Sequence, residues 1–487
     1  MKRRLWMLCG LGLASCAHLP AGQIVNTRDL AEAEGQPAIA AIQELGGADI
    51  MVPGNITGLP GDGVAVVGEG LWIQGTAFGR QPTVLIGGLP AFVQARTADA
   101  GIVVRVPPGV GTGPQTLQVR TRAGVAEVPL NVRRFAAAWT NDGALQWLAM
   151  PVAGKAPAPV VASSPSVTKL AFSSDGRAAY SVDAAARRLT VFDVTTQKGP
   201  ASAFALELEG TPVLALAAAA GAPVLAIVRA HDVMVLRTSS AVRPPRGRPR
   251  ALPDDIAEAL AGQPVVAAVS PDGRFLALPL DRGNRVVLLS LQNSDAAPVV
   301  ASVVVDPSVR APSLIDLGFS VEGDTLWVAS GARAGSESLG VRPTRVQALT
   351  VQSVGDGVKL TLGKSYSLPA GEPTTLGVSR TRPLPSGAAI RRPPQLAQVM
   401  VAALTAEGTQ LFAVGAEGPV SVSSAPGRMT DVLIEPLGQV ALASVVPPEG
   451  GVKLHWLRAD GRQAEASNGV LFPTSVQAKT CTIEVQP

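Results

Sequence analysis

The sequence predicts an all-β protein of two modules, a small β-sandwich followed by a β-propeller. Three observations carry this expectation. The 487 residues include 51 Gly and 41 Pro, with short Val-rich runs between them, which is the pattern of strands broken by turns. Runs up to Arg134 do not repeat, whereas from Ala136 onward a strand–turn–strand unit recurs. The recurrence interval, from Gly221 to Asp272 and from Asp272 to Glu322, suits one four-stranded blade each.

The chain opens with Lys2, Arg3 and Arg4, then the short apolar run Leu5 to Leu13. That order fits a secretory signal peptide and is too short to span a bilayer. Leu13, Ala14, Ser15 and Cys16 follow and resemble the bacterial lipobox. The resemblance implies cleavage before Cys16 and attachment of lipid to its thiol and new amino terminus, so that residues 1–15 are removed. Ala17, not an aspartate, follows the cysteine; by resemblance to the enteric sorting rule this implies the outer membrane. Removal of Lys2, Arg3 and Arg4 lowers the net charge from +4 to +1, so no global basic field argues for nucleic acid. Cys9 leaves with the signal and Cys16 is lipidated, which leaves Cys481 without a disulfide partner within the mature chain.

Residues 16–56 read as a lipidated tether. A short helix is predicted inside it: Pro37 suits a first turn, Ile39, Ile42 and Leu45 recur at spacing three, and Gly46-Gly47 stop it.

Residues 57–134 read as a sandwich. The runs Val64–Val67, Leu71–Ile73, Thr83–Ile86, Ile102–Val106 and Thr116–Val119 are separated by Gly and Pro turns. Gly75-Thr76-Ala77-Phe78-Gly79, Val84-Leu85-Ile86-Gly87-Gly88, Val106-Pro107-Pro108-Gly109 and Gly113 resemble the IPT/TIG family of immunoglobulin-like domains. The resemblance covers nearly the whole segment and implies glycines serving turns and Phe78 in the core. That family occurs in surface receptors, glycan-handling enzymes and transcription factors, so it identifies a module without a task.

Residues 136–487 read as the propeller. Ser173-Ser174-Asp175-Gly176-Arg177, Ser270-Pro271-Asp272-Gly273-Arg274 and Ser320-Val321-Glu322-Gly323 each lie between two apolar strands. Degenerate copies begin near Val213, Val399 and Val432. The unit resembles propellers of the YVTN and lactonase-like type, which implies seven blades; six or eight also fit. Segment 136–150 and the tail from Gly469 are expected to close the ring together. The register is least defined over 370–430.

Few groups suit catalysis. His18, His231 and His455 lie far apart, and no His-x-x-x-His, Cys-x-x-Cys or Gly-x-Ser-x-Gly occurs, so neither a metal, a cofactor nor a nucleophile elbow is expected. Gly58, Gly61, Gly63, Gly68 and Gly70 precede no helix and belong to turns, not to a phosphate cradle. Asp175, Asp272 and Glu322 recur at turns, where a carboxylate bonds nearby backbone. Two basic, proline-rich stretches stand out: Arg243, Arg246, Arg248 and Arg250, then Arg380, Arg382, Arg391 and Arg392. Proline keeps such loops extended and out of a ladder, and arginine presents a forked donor to carboxylate or phosphate. These eight arginines are the candidate contacts for an anionic partner. With aromatics at 4% and an export signal, nucleic acid is not the expected partner. The sequence-level expectation is a lipid-anchored envelope protein that binds another envelope protein or a polysaccharide. The alternative is a lactonase-like or glycan-cleaving hydrolase working from the propeller channel.

Overall fold

A computed structural model describes residues 21–26, 35–46, 55–58, 62–97, 101–140, 145–149, 159–163, 169–183, 187–196, 199–209, 212–238, 246–260, 265–280, 284–292, 295–305, 312–332, 345–354, 357–368, 371–379, 399–415, 417–434, 440–458, 470–472 and 481–487. Among them almost every element is a strand; one helix, Asp254–Leu260, is present. The signal residues Leu13, Ala14 and Ser15, the cysteine Cys16, and Arg243, Arg380, Arg382, Arg391 and Arg392 lie outside the described residues.

The N-terminal part is two packed sheets. Their strands are β1 (Ala21–Val25), β2 (Ala38–Gly46), β3 (Asn55–Thr57), β4 (Val64–Val66), β5 (Gly70–Thr76), β6 (Thr83–Ile86), β7 (Leu89–Ala91), β8 (Val93–Thr97), β9 (Ile102–Arg105), β10 (Gly113–Thr121) and β11 (Gly124–Arg133). One sheet runs β2-β5-β9-β8-β1-β3 and the other β4-β11-β10-β6-β7. Leu71, Ile73, Ile102 and Val104 of the first meet Val84, Ile86, Leu117, Val119 and Val132 of the second, with Phe78 buried in the same cluster. The alternation of β10 and β11 follows from one face on this core and one in water. Gly75 passes so close to Phe78 that a Cβ there would sit 2.4 Å from the ring, so the glycine lets the backbone cross the ring edge.

Two expectations for this region are corrected. The helix over 37–46 is a strand: Ala38–Gly46 pairs antiparallel with β5. Its register shifts between Ile39 and Ala41, and a bulge inserts one residue without a ladder partner. That extra residue turns a two-residue alternation into a three-residue one, so Ile39 and Ile42 pack on the same core at a spacing that imitates a helix. Within the segment read as a tether, Ala21–Val25, Ala38–Gly46 and the start of Asn55–Thr57 are strands of the first sheet. β1 sits between β8 and β3, with Ile24 opposite Thr97 and Ala21 opposite Thr57.

Seven four-stranded sheets follow among the described residues. Their innermost strands are Cys481–Val485, Lys169–Phe172, Val213–Ala218, Ala268–Val269, Pro312–Phe319, Glu372–Val378 and Arg428–Ile434, each beside the next in a closed ring. This is a β-propeller. The first sheet joins the two ends of the region, because Cys481–Val485 pairs with Phe135–Thr140 from Ala136↔Val485 to Thr140↔Cys481. The other part of the C-terminal tail, Val470–Phe472, is the outer strand of the seventh sheet. Between sheets the core is aliphatic with local aromatic contacts: Trp147 meets Phe172 and Phe192 edge-on at 6.1 and 5.2 Å. Asp254–Leu260 buries Ile256 and Leu260 against the third and fourth sheets, and Asp254 and Asp255 in its first turn complement the helix dipole.

The two modules share a buried polar junction. Gln486 and Arg134 are fully buried. The Gln486 side chain donates from Nε2 to Val67 O (2.8 Å) in the sandwich and to Gly176 O (2.6 Å) in the propeller. Its Oε1 accepts from Phe135 N at 2.9 Å. Arg134 donates to Gln486 O at 3.0 Å and also to Val110 O. One glutamine therefore ties ring closure to the preceding module.

Candidate functional site: the central channel and the arginine strand

The recurring Ser-x-Asp-Gly turns come first, because they decide which carboxylates are free for chemistry. Asp175 Oδ1 accepts from Ser173 Oγ (2.6 Å) and Arg177 N (3.1 Å), and Ser173 Oγ accepts from Ala178 N at 3.0 Å. Asp272 repeats this with Ser270 (2.6 Å) and Arg274 N (3.0 Å). In the third copy the expectation for Glu322 is corrected: Asp324, one residue beyond Gly323, accepts from Ser320 (3.0 Å) in its place. Gly176, Gly273 and Gly323 adopt φ of 73, 73 and 76°, a conformation that glycine takes without strain. Burial opposes ionisation of Asp272, but bonds from Ser270 and from the Arg274 amide and guanidinium outweigh it and hold the carboxyl below its usual range. These acids close turns.

The channel lies inside the ring of inner strands and encloses ≈ 360 Å³, within the size range of small-molecule pockets. Its wall is uneven. Leu170, Ala171, Ala215, Leu216, Ala217 and Ala268 line the side built by the second to fourth sheets; Asp316, Thr375, Asp431 and Glu484 line the other. Trp139 stands at the wall with its indole Nε1 shielded from solvent and, among the described residues, without an acceptor.

Asp316 and Asp431 occupy equivalent positions, each just after a register shift in its inner strand. The bulge aims each carboxylate sideways at the neighbouring sheet. Asp316 Oδ2 accepts from Leu376 N (2.9 Å) and Thr375 Oγ1 (3.2 Å), while Oδ1 accepts from Leu317 N at 2.8 Å. Asp431 Oδ2 accepts from Ile483 N at 2.9 Å. Both aspartates tie one inner strand to the next around the ring. Sequence reading missed them because neither belongs to the Ser-x-Asp-Gly unit; the available signal was an acid in an otherwise apolar run, as in Leu314-Ile315-Asp316-Leu317.

The arginine stretch at 243–250 is partly corrected. Arg246–Ala251 is not an extended loop but the outer strand of the third sheet, with Val235 opposite Arg248 and Val233 opposite Arg250. Pro249 is accommodated because this strand is at an edge. Arg248 is exposed. Arg250 is half-buried with its Nη1 shielded and, among the described residues, unpaired. Burial pulls the Arg250 pKa down, with Arg237 acting in the same direction and Asp295 against it. The structure thus brings Arg248 and Arg250 together on one strand.

His231 is exposed in a turn, and His455 lies in the strand Val452–Arg458 with Nδ1 shielded from solvent. Burial lowers the His455 pKa and Lys453 adds to it. Among the described residues no group of three or more His, Cys, Asp or Glu is placed to hold a metal ion. Among the described acids Glu69 of the sandwich, almost fully buried, is strongly perturbed, its pKa pushed up to about 8 by desolvation. The amide of Val66, donating to Glu69 Oε2 at 2.8 Å, opposes that rise, and Glu44, Asp62 and Asp193 reinforce it.

No family model and no curated protein matches the chain. Among solved structures, a 6-phosphogluconolactonase-like protein from Bacteroides uniformis aligns over 72% of this chain and 99% of its own, at 13% identity and a TM-score of 0.50. A second such protein, from Bacteroides fragilis, covers 72% of this chain and 98% of its own at 12% identity and a TM-score of 0.49. The first likeness shows a β-propeller fold.

Proposed function

We propose that the chain is a lipid-anchored envelope protein that works by binding, with an immunoglobulin-like domain of the IPT/TIG type carrying a seven-bladed propeller. The observation that carries this reading is the use of the channel acids: Asp316 and Asp431 are engaged by backbone amides of the adjoining inner strand. A carboxylate whose oxygens accept from the amides of the next strand serves to tie those strands together. The propeller then serves as a rigid disc whose outer surface meets a partner. Arg248, together with Arg243, Arg246, Arg380, Arg382, Arg391 and Arg392, would engage the anionic groups of an envelope protein or polysaccharide. Lipid at Cys16 would keep the disc at the membrane.

A hydrolase remains the alternative, and one observation favours it: Glu484 and Trp139 both line the channel, whose acids are confined to one side. A small lactone or sugar would fit that asymmetry. One experiment addresses both halves of the proposal. Wild-type protein should partition into the detergent phase and Cys16→Ser should not; equal partitioning overturns the anchor. The purified protein should leave lactones and glycans unchanged. Turnover abolished by Glu484→Gln overturns the binding reading.

A further inference from the structure

The sequence reading placed a lipidated tether over residues 16–56, and the fold shortens the free part drastically. β1 begins at Ala21, five residues after Cys16. At about 3.3–3.6 Å per residue, five residues reach roughly 16–18 Å, against more than roughly 100 Å for a forty-residue tether. The headgroup layer is itself about 5–8 Å deep on each side. Whatever surrounds the Ala21 end of the sandwich must therefore lie at the bilayer surface, provided that Cys16 is lipidated as proposed above.

Strand registers identify that end. Ala21 lies opposite Thr57, and Ile24 opposite Thr97, so the chain enters beside the β8–β9 connection. Ile102 pairs with both Arg96 and Ile73. Three residues beyond Ile73, Thr76 closes β5 opposite Ala38. The short connection from Thr76 to Thr83 crosses to the second sheet at the same end, where Thr83 faces Arg120. The β10–β11 hairpin turns there, with Thr121 opposite Gly124, and a Cβ on Gly124 would sit 3.5 Å from Pro37. The propeller joins at the opposite end, through Val67, Arg134 and Gln486.

This end is basic. Arg80 in the β5–β6 connection and Arg120 and Arg122 at the hairpin are exposed. Arg120 donates to Gln118 Oε1 at 3.2 and 2.7 Å, and Gln118 donates in turn to Glu127 at 2.7 Å, so this guanidinium is held at the hairpin surface.

We propose that the sandwich end formed by the β5–β6 connection and the β10–β11 hairpin docks directly on an anionic phospholipid surface through Arg80, Arg120 and Arg122. The lipid on Cys16 and this face then form two signals, which together give stable and oriented attachment where one alone gives a loose tether. Orientation follows from the same geometry. β11 runs from Gly124 to Arg133, and at about 3.3 Å per residue it sets the propeller roughly 30 Å from the membrane. The sandwich acts as an upright spacer.

The test uses the full lipidated protein in vesicles of phosphatidylethanolamine and phosphatidylglycerol. In a Cys481→Ser background, a fluorophore is placed either at Ala123→Cys on the hairpin or at Val354→Cys on the propeller, and a headgroup-bound nitroxide lipid quenches it. Strong quenching at 123 and little at 354 is expected. Each arginine near such a surface strengthens association about fivefold, so Arg80→Ser, Arg120→Ser and Arg122→Ser together should reduce the docked population on the order of a hundredfold while the protein stays with the vesicles. High salt should do the same, because exposed charges are screened. Equal quenching at both positions in a vesicle-bound protein overturns the docking. Protein that fails to sediment with vesicles overturns the anchor, and the docking with it.

Discussion

Replacing Gln486 with alanine removes the side chain that joins the ring closure to the sandwich. The change deletes donors to Val67 O at 2.8 Å and Gly176 O at 2.6 Å and the acceptor for Phe135 N at 2.9 Å. All three bonds are buried, so water does not replace them. A buried polar group left unpaired costs about 1–3 kcal/mol, and carbonyls tolerate the loss better than amides, which puts the total at about 3–5 kcal/mol. Unfolding entropy of about 2.1 cal/mol/K per residue over roughly 350 propeller residues converts each kcal/mol into roughly 1–2 °C. The melting temperature of the full chain should therefore fall by roughly 4–8 °C in scanning calorimetry. Gln486→Glu should fall at least as far, since a carboxylate facing two carbonyls has no hydrogen to donate at neutral pH. A shift below about 1 °C for alanine would refute the idea that this glutamine couples the modules.

Two further outcomes follow from the same physics. Asp431→Ala leaves the Ile483 amide without its 2.9 Å acceptor and should cost about 1–3 kcal/mol in chemical denaturation, with Asp431→Asn restoring part of it. Glu69, raised to about 8 from 4.5 by desolvation, holds its proton more tightly folded than unfolded. Its contribution is thus fully present below pH 4.5 and is lost as pH rises through about 8. Wild type should lose melting temperature across that window relative to Glu69→Gln, and parallel pH profiles would show that the carboxyl is not the titrating group.

Much of the fold was legible because repetition is visible without structure. The Ser-x-Asp-Gly turns announced themselves as structural, since a short acid between two apolar strands at a glycine with φ near 73° has its hydrogen bonds supplied locally. Phe78 was legible as core because the glycines around it permit a close backbone approach. The strand Ala38–Gly46 was not legible, because a bulge produces the spacing of a helix. Arg246–Ala251 was misread because Pro249 signals exclusion from a ladder, and only the sheet order shows that it lies at an edge where exclusion does not apply. The channel was least legible of all: its wall is assembled from the seven separated inner strands together with Trp139, and no local window contains two of the inner strands.

The residues by themselves determined what depends on neighbours in the chain: the strand-and-turn alternation, the repeated blade unit and the resemblance of Leu13 to Cys16 to a lipobox. Tertiary structure alone decided what depends on groups meeting across long separations. Asp431 meets Ile483 across 52 residues, Gln486 meets Val67 across 419, and β1 meets β8 inside the segment read as a tether. Local propensity acts over a few residues, whereas hydrogen-bond satisfaction in a buried junction is a condition on the whole folded chain.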